Sequence, residues 1–117
     1  VFVENDREAT ACIRENLERT KLFETAEVMQ KDVFAALETL EKEGKSFDII
    51  FMDPPYDRLF EKKVLDRLSG SALIHEETLI VVEASLKTDF SYIEDSGYKI
   101  IREKRYKTNK HLFLTIK

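Results

Sequence analysis

The run Phe47-Asp48-Ile49-Ile50-Phe51-Met52 constrains the fold of this chain more than any other segment. It is nearly all apolar and lacks the alternation of a strand with one wet face, so it predicts a parallel strand covered on both sides. It stops at Asp53-Pro54-Pro55-Tyr56, where two prolines remove two amide donors and hold the backbone extended. Parallel strands need long crossover connections, normally helices.

The rest of the chain supplies them. Val1-Phe2-Val3-Glu4 reads as a strand already in progress. Asn5 and Asp6 are good helix caps, Glu8 lies three residues after Asn5 as in a capping box, and Ala9, Ile13 and Leu17 recur at helical spacing. Cys12, alongside that stripe, is read as a small core residue and not a nucleophile, because nothing nearby is placed to activate the thiol. A short strand over Ala26–Gln30 follows. Asp32 then opens a second helix with Val33, Phe34, Leu37 and Leu40 on one side and Gly44 as its stop. After the central strand, Phe60, Val64, Leu65 and Leu68 mark a third helix ended by Gly70, and Thr78–Glu83 is a second buried strand. This alternation predicts an α/β fold with a parallel sheet, right-handed crossovers and helices on both faces. The tail differs: Tyr98–Tyr106 and His111–Ile116, joined by a polar turn at Thr108-Asn109, predict an antiparallel hairpin on the sheet edge. There is no internal repeat or long linker, so residues 1–117 are read as one domain.

Composition excludes several classes. The longest apolar runs are too short to cross a bilayer, which predicts no membrane partner. One cysteine cannot form an internal disulfide, and no Cys/His cluster has metal-ligand spacing; a cytoplasmic setting without a metal is expected. The net charge of −4 argues against coating nucleic acid by bulk electrostatics, yet Lys99 to Lys117 carries seven basic residues against the single acid Glu103. That run is either a solvated strand face or a contact for phosphates.

Ligands of open α/β sheets bind outside the carboxyl ends of the strands. Glu4, Asp32 and Asp53 stand there. Each has a purely structural alternative: Glu4 as a helix-start residue, Asp32 as an N-cap, Asp53 as the holder of a turn. Asp53-Pro54-Pro55-Tyr56 says more. Its rigid backbone points carbonyls outward beside a carboxylate, while the aromatic can stack on a planar ring whose amino group those oxygens accept. Such a set suits a nucleobase amine.

Asp53-Pro54-Pro55-Tyr56 after a hydrophobic strand resembles motif IV of the class I, S-adenosylmethionine-dependent amino-methyltransferases. The resemblance extends over nearly the whole chain. Val1-Phe2-Val3-Glu4, the Asn16-Leu17 helix, Lys31 to Leu37, Phe47 to Tyr56 and Leu79-Ile80-Val81-Val82-Glu83 are similar, in order and spacing, to the bacterial 16S ribosomal RNA guanine-N2 methyltransferases of the RsmD type.

The resemblance implies a Rossmann-like class I methyltransferase sheet, mostly parallel, with the C-terminal hairpin antiparallel. It implies that Glu4 binds the cofactor ribose hydroxyls and that Asp32 with the Val33 backbone holds the adenine of S-adenosylmethionine. Asp53 and the Pro54 carbonyl would accept the two hydrogens of the target amine, with Pro55 completing the rigid turn and Tyr56 stacking on the base. Lys104, Arg105, Lys107 and Lys110 would meet phosphates of the 16S RNA or the assembling small subunit. The family's first strand and glycine-rich loop have no counterpart here, so the resemblance also predicts an N-terminally truncated domain. The missing strand would lie between those ending in Glu4 and Asp53, interrupting the sheet and leaving edges that favour association with another copy. Two rivals stay open: adenine-N6 methylation of DNA, which uses the same motif, and a non-catalytic nucleic-acid or protein-binding domain of the same fold.

Overall fold

A computed structural model describes residues 1–55 and 59–117 of the chain. They divide into two compact units, Val1–Glu43 and Gly44–Lys117.

The first unit runs β1 (Phe2–Glu4), α1 (Arg7–Arg19), a 3-10 turn (Phe23–Thr25), β2 (Val28–Gln30) and α2 (Val33–Lys42). β1 and β2 pair in parallel with Glu4 opposite Gln30, so both strands end at the same edge. The Asp6 carboxylate caps α1 by accepting the Ala9 amide at 3.0 Å. Thr10 and Leu17 are buried on α1, with Ala9 and Ile13 partly so. Cys12 is exposed, against the expectation of a core position. It precedes Ile13 by one residue, which at 3.6 residues per turn carries it about 100° round from the buried stripe. α2 buries Ala36, Leu37 and Leu40, and Gly44 follows it with φ +71, the left-handed conformation expected after a helix end.

The second unit contains β3 (Ile49–Met52), α3 (Phe60–Leu68), β4 (Leu79–Ser85), β5 (Tyr98–Arg105) and β6 (Asn109–Ile116). Its sheet has the order β3-β4-β6-β5, with β3 and β4 parallel and the other pairings antiparallel. The expected hairpin is therefore present, with β6 inserted beside β4 and β5 on the edge. The described strands form two sheets, β1-β2 and the four-stranded one.

Ile80, Val82, Leu112 and Leu114 occupy one face of the larger sheet and are buried, as are Leu65, Leu68, Leu73 and Ile93. Tyr98 joins this core, its hydroxyl donating to the Leu65 carbonyl at 2.6 Å. The other face is barer. Ile49 is 68% and Phe51 59% exposed, so β3 is parallel as expected but not covered on both sides. As the edge strand it has a ladder partner on one side alone, and an apolar run shows what a strand suits, not what lies over it.

A bulge between Ile100 and Arg102 decides which β5 side chains share a face. Ile100 pairs with Leu114 on the core face, but one extra residue, Ile101, puts Arg102 opposite Phe113 and Lys104 opposite His111. Uninterrupted alternation would have driven both cations toward the core. Among the described residues, no helix is long and apolar enough to cross a membrane.

Candidate active site

Two carboxyl edges carry the residues expected to act, one in each unit. In the first, Glu4 ends β1, and its Oε1 accepts the Asp6 amide at 3.1 Å while its carbonyl accepts the Lys31 amide at 3.1 Å. Asp32 follows β2, and its Oδ2 accepts the amides of Phe34 at 3.0 Å and Ala35 at 3.3 Å. The structural roles weighed for both residues are thus real: Glu4 steadies the start of α1, and Asp32 is the N-cap of α2. Each spends one carboxylate oxygen. The second, Oε2 of Glu4 and Oδ1 of Asp32, accepts no hydrogen bond among the described residues. The Val33 amide is not used by the cap either, so one edge presents two acceptors and a donor, a set that matches ribose hydroxyls, an adenine amine and a ring nitrogen.

In the second unit, β3 and β4 run parallel to the pair Met52–Val82, and the next residue on each strand is an acid. Asp53, just past the end of β3, and Glu83, still within β4, therefore stand side by side. Burial pushes the Asp53 carboxyl up from its ordinary range, a hydrogen bond with Glu83 and the Glu83 charge push it further, and the charge of His111 opposes them. Asp53 is exposed overall, so solvent limits the first of these causes, and the carboxyl pair gives the site its character. Pro54 is half-buried and Pro55 exposed beside it. Tyr56 lies outside the described residues.

Glu83 and His111 were not among the residues chosen from sequence. His111 stands opposite Glu83 across the β4–β6 ladder, its Nε2 3.3 Å from Glu83 Oε1. Edge-on contacts with Phe51 at 6.0 Å and Tyr106 at 4.9 Å between ring centroids hold the imidazole. A signal existed for Glu83: it is the one charged residue of β4 and the last residue of the strand expected over Thr78–Glu83, where the rule that selected Glu4, Asp32 and Asp53 applies equally. No comparable signal marked His111, because its pairing depends on the antiparallel register of β6.

The basic run does not act as one patch. Lys104 faces the His111 side, its Nζ 5.3 Å from the centre of the Tyr106 ring, and Lys107 is exposed. Arg105 and Lys110 pair with each other on the opposite face. Arg105 Nη1 is 3.4 Å from Glu103, and its Nη2 donates to the Leu86 carbonyl at 3.5 Å. Lys110 differs from the other three in its burial. It is 6% exposed, its Nζ donates to the Thr88 carbonyl at 2.7 Å, lies 3.4 Å from Glu103 and sits 5.1 Å from the Phe90 ring centre. An ammonium so enclosed is held within the fold, unlike those of the exposed Lys104 and Lys107.

Residues 1–115 match the family described as conserved hypothetical protein 95. A candidate ribosomal RNA methyltransferase of Bacillus subtilis, YlbH, is 31% identical over 83 residues, 71% of this chain and 45% of that protein. An uncharacterized methylase of Rickettsia prowazekii is 41% identical over 71 residues, 61% of this chain and 29% of that protein. The chain spans less than half the length of these curated relatives. Among solved structures, a conserved hypothetical protein of Streptococcus pyogenes superposes with a TM-score of 0.86 at 25% identity, covering 98% of this chain and 69% of that one.

Proposed function

The chain belongs to the conserved hypothetical protein 95 family, and we propose that it serves as a ribosomal RNA methyltransferase that takes its methyl group from S-adenosylmethionine. The names of its relatives, a candidate ribosomal RNA methyltransferase and a methylase, support this reading. The finer proposal is the exocyclic N2 amine of a guanine in 16S RNA, met in the assembling small subunit. The observation that carries it is the placement of Asp53 and the paired prolines at the carboxyl end of a parallel strand.

S-adenosylmethionine, when bound, supplies an electrophilic methyl group on a cationic sulfur. The residues suited to hold it are those of the first unit: Glu4 Oε2 for ribose hydroxyls, Asp32 Oδ1 for the adenine amine and the Val33 amide for a ring nitrogen. For the target, Asp53 and the Pro54 carbonyl accept the two amine hydrogens, and Tyr56 stacks on the base. An exocyclic amine conjugated to its ring is a poor nucleophile. Two acceptors on its hydrogens localise the lone pair, and fixed positioning supplies much of the remaining acceleration. As the new N–C bond forms, the amine proton passes to the Asp53 carboxylate, whose raised proton affinity suits it to receive one. Lys104 and Lys107 are the exposed cations of the basic run suited to backbone phosphates.

The test is methyl transfer from labelled S-adenosylmethionine to 16S RNA that has not been methylated, followed by nucleoside analysis. N2-methylguanosine made by the wild type and lost in Asp53→Ala is the expected result. Label in N6-methyladenosine would redirect the specificity, and no transfer to any nucleic acid would remove the enzymatic reading.

A further inference from the structure

The chemistry assigned to Asp53 leaves two neighbours without a role. Glu83 interrupts an otherwise apolar strand, and a histidine faces it across the sheet. A carboxylate in that setting is costly unless it is paired and hydrogen-bonded, so its partners define what it does. One is His111, 3.3 Å away and held between Phe51 and Tyr106. The other is Asp53: the parallel β3–β4 ladder ends at the pair Met52–Val82, and Asp53 and Glu83 are the next residues of the two strands.

We propose that Glu83, oriented by His111, is a positioning residue that sets the protonation and the aim of the Asp53 carboxyl. The inference rests on the methyl-transfer reading and deepens it by naming the two side chains that control the same acceptor. Two carboxylates side by side resist being ionised together, and the imidazole on the far side of Glu83 counters that repulsion. Asp53 thereby becomes a stronger proton acceptor than an isolated aspartate while its orientation is fixed from behind. Burial and Glu83 raising the Asp53 carboxyl, with His111 opposing, agree with this geometry. When the methyl group moves, the N–C bond forms as the S–C bond breaks, its electron pair stays on sulfur, and the amine proton goes to Asp53. From there it has a path through Glu83 to the partly exposed His111 and solvent.

Among the described residues, the other titratable or charged groups on this face are Lys104, opposite His111, Tyr106, against the imidazole, Arg102, opposite and over the Phe113 ring, and Lys99, opposite Thr115 further along the ladder. Glu103, Arg105 and Lys110 engage one another on the opposite face. Arg102 and Lys99 lie one and two pairs further along this face of β6 from His111, so the charged neighbours of Asp53 are Glu83 and His111.

The two neighbours act in opposite senses, which separates positioning from mere support of the fold. In Glu83→Gln, which keeps the shape and a hydrogen bond to His111, Asp53 loses a like charge and its titration moves to lower pH. In His111→Gln it moves to higher pH. Carboxyl-carbon NMR titration of Asp53 in the protein without substrate reads both shifts, and the acidic limb of the kcat profile should follow them. Unmoved titrations in both variants, or shifts of the same sign, overturn the inference even if the wild type transfers methyl groups normally. Opposed shifts in a wild type that methylates nothing would instead remove the methyl-transfer reading and leave the Glu83–Asp53 coupling standing.

Discussion

Lys110 offers the sharpest separation of a structural cation from a functional one. In Lys110→Met the stem keeps its length and packing, while the ammonium and its three partners are lost. The Thr88 carbonyl at 2.7 Å accepts a charge-assisted hydrogen bond, worth about 1.5–3 kcal/mol. The Phe90 ring at 5.1 Å adds about 0.5–2 kcal/mol of cation–π attraction. The Glu103 pair at 3.4 Å, half open to solvent on the acid's side, adds about 0–1 kcal/mol. Removing the ammonium also relieves its burial, which offsets part of that total. The expected net loss is about 2 kcal/mol, a fall in Tm of roughly 10 °C for a domain of this size. Thermal and urea unfolding measure it, and RNA affinity of the folded variant as a function of salt provides the contrast. The salt slope should match the wild type, because a buried ammonium neutralises no phosphate. Undiminished stability together with a slope reduced by about one would refute the reasoning and return Lys110 to the RNA contact.

The remaining predictions use the same logic. Reversing Lys104 and Lys107 to Glu should weaken RNA binding and flatten its salt dependence by roughly one unit of slope per site, with cofactor affinity unchanged; filter binding across a salt series reads this. Glu4→Ala should weaken S-adenosylmethionine binding by about 1.5–3 kcal/mol in calorimetry, and an unchanged affinity would leave Glu4 as a helix-start residue only. Asp53→Asn should stabilise the fold near neutral pH. The Asp53 carboxyl is raised above its unfolded value of 3.8, so its ionised form opposes folding: native stability is lost as pH rises through the raised value, and the advantage of Asn should vanish below pH 3.8. Tyr98→Phe should cost about 1 kcal/mol in urea unfolding, the low end for a buried hydrogen bond, because the Leu65 carbonyl still accepts the Ser69 amide at 3.0 Å.

The elements of this protein follow from local rules. The apolar stripes of the three helices, the Asp32 cap, the stop at Gly44, the unbroken run of β3 and the polar turn before β6 are set by periodicity and backbone sterics within a few residues, so the chain order alone reveals them. The same holds for the rigid Asp53-Pro54-Pro55 corner, whose geometry proline imposes wherever it occurs. What the tertiary structure decided is pairing. Register across β4 and β6 set His111 against Glu83, and parallel register brought Glu83 beside Asp53, joining residues far apart in the chain. One bulged residue in β5 moved Lys104 to the His111 face and left Arg105 with Lys110 on the other, so a basic run that looks uniform in sequence has two unlike halves. Cys12 and the bare side of β3 belong here too, because burial depends on what packs against an element, and an element's own pattern states only which face is fit to be covered.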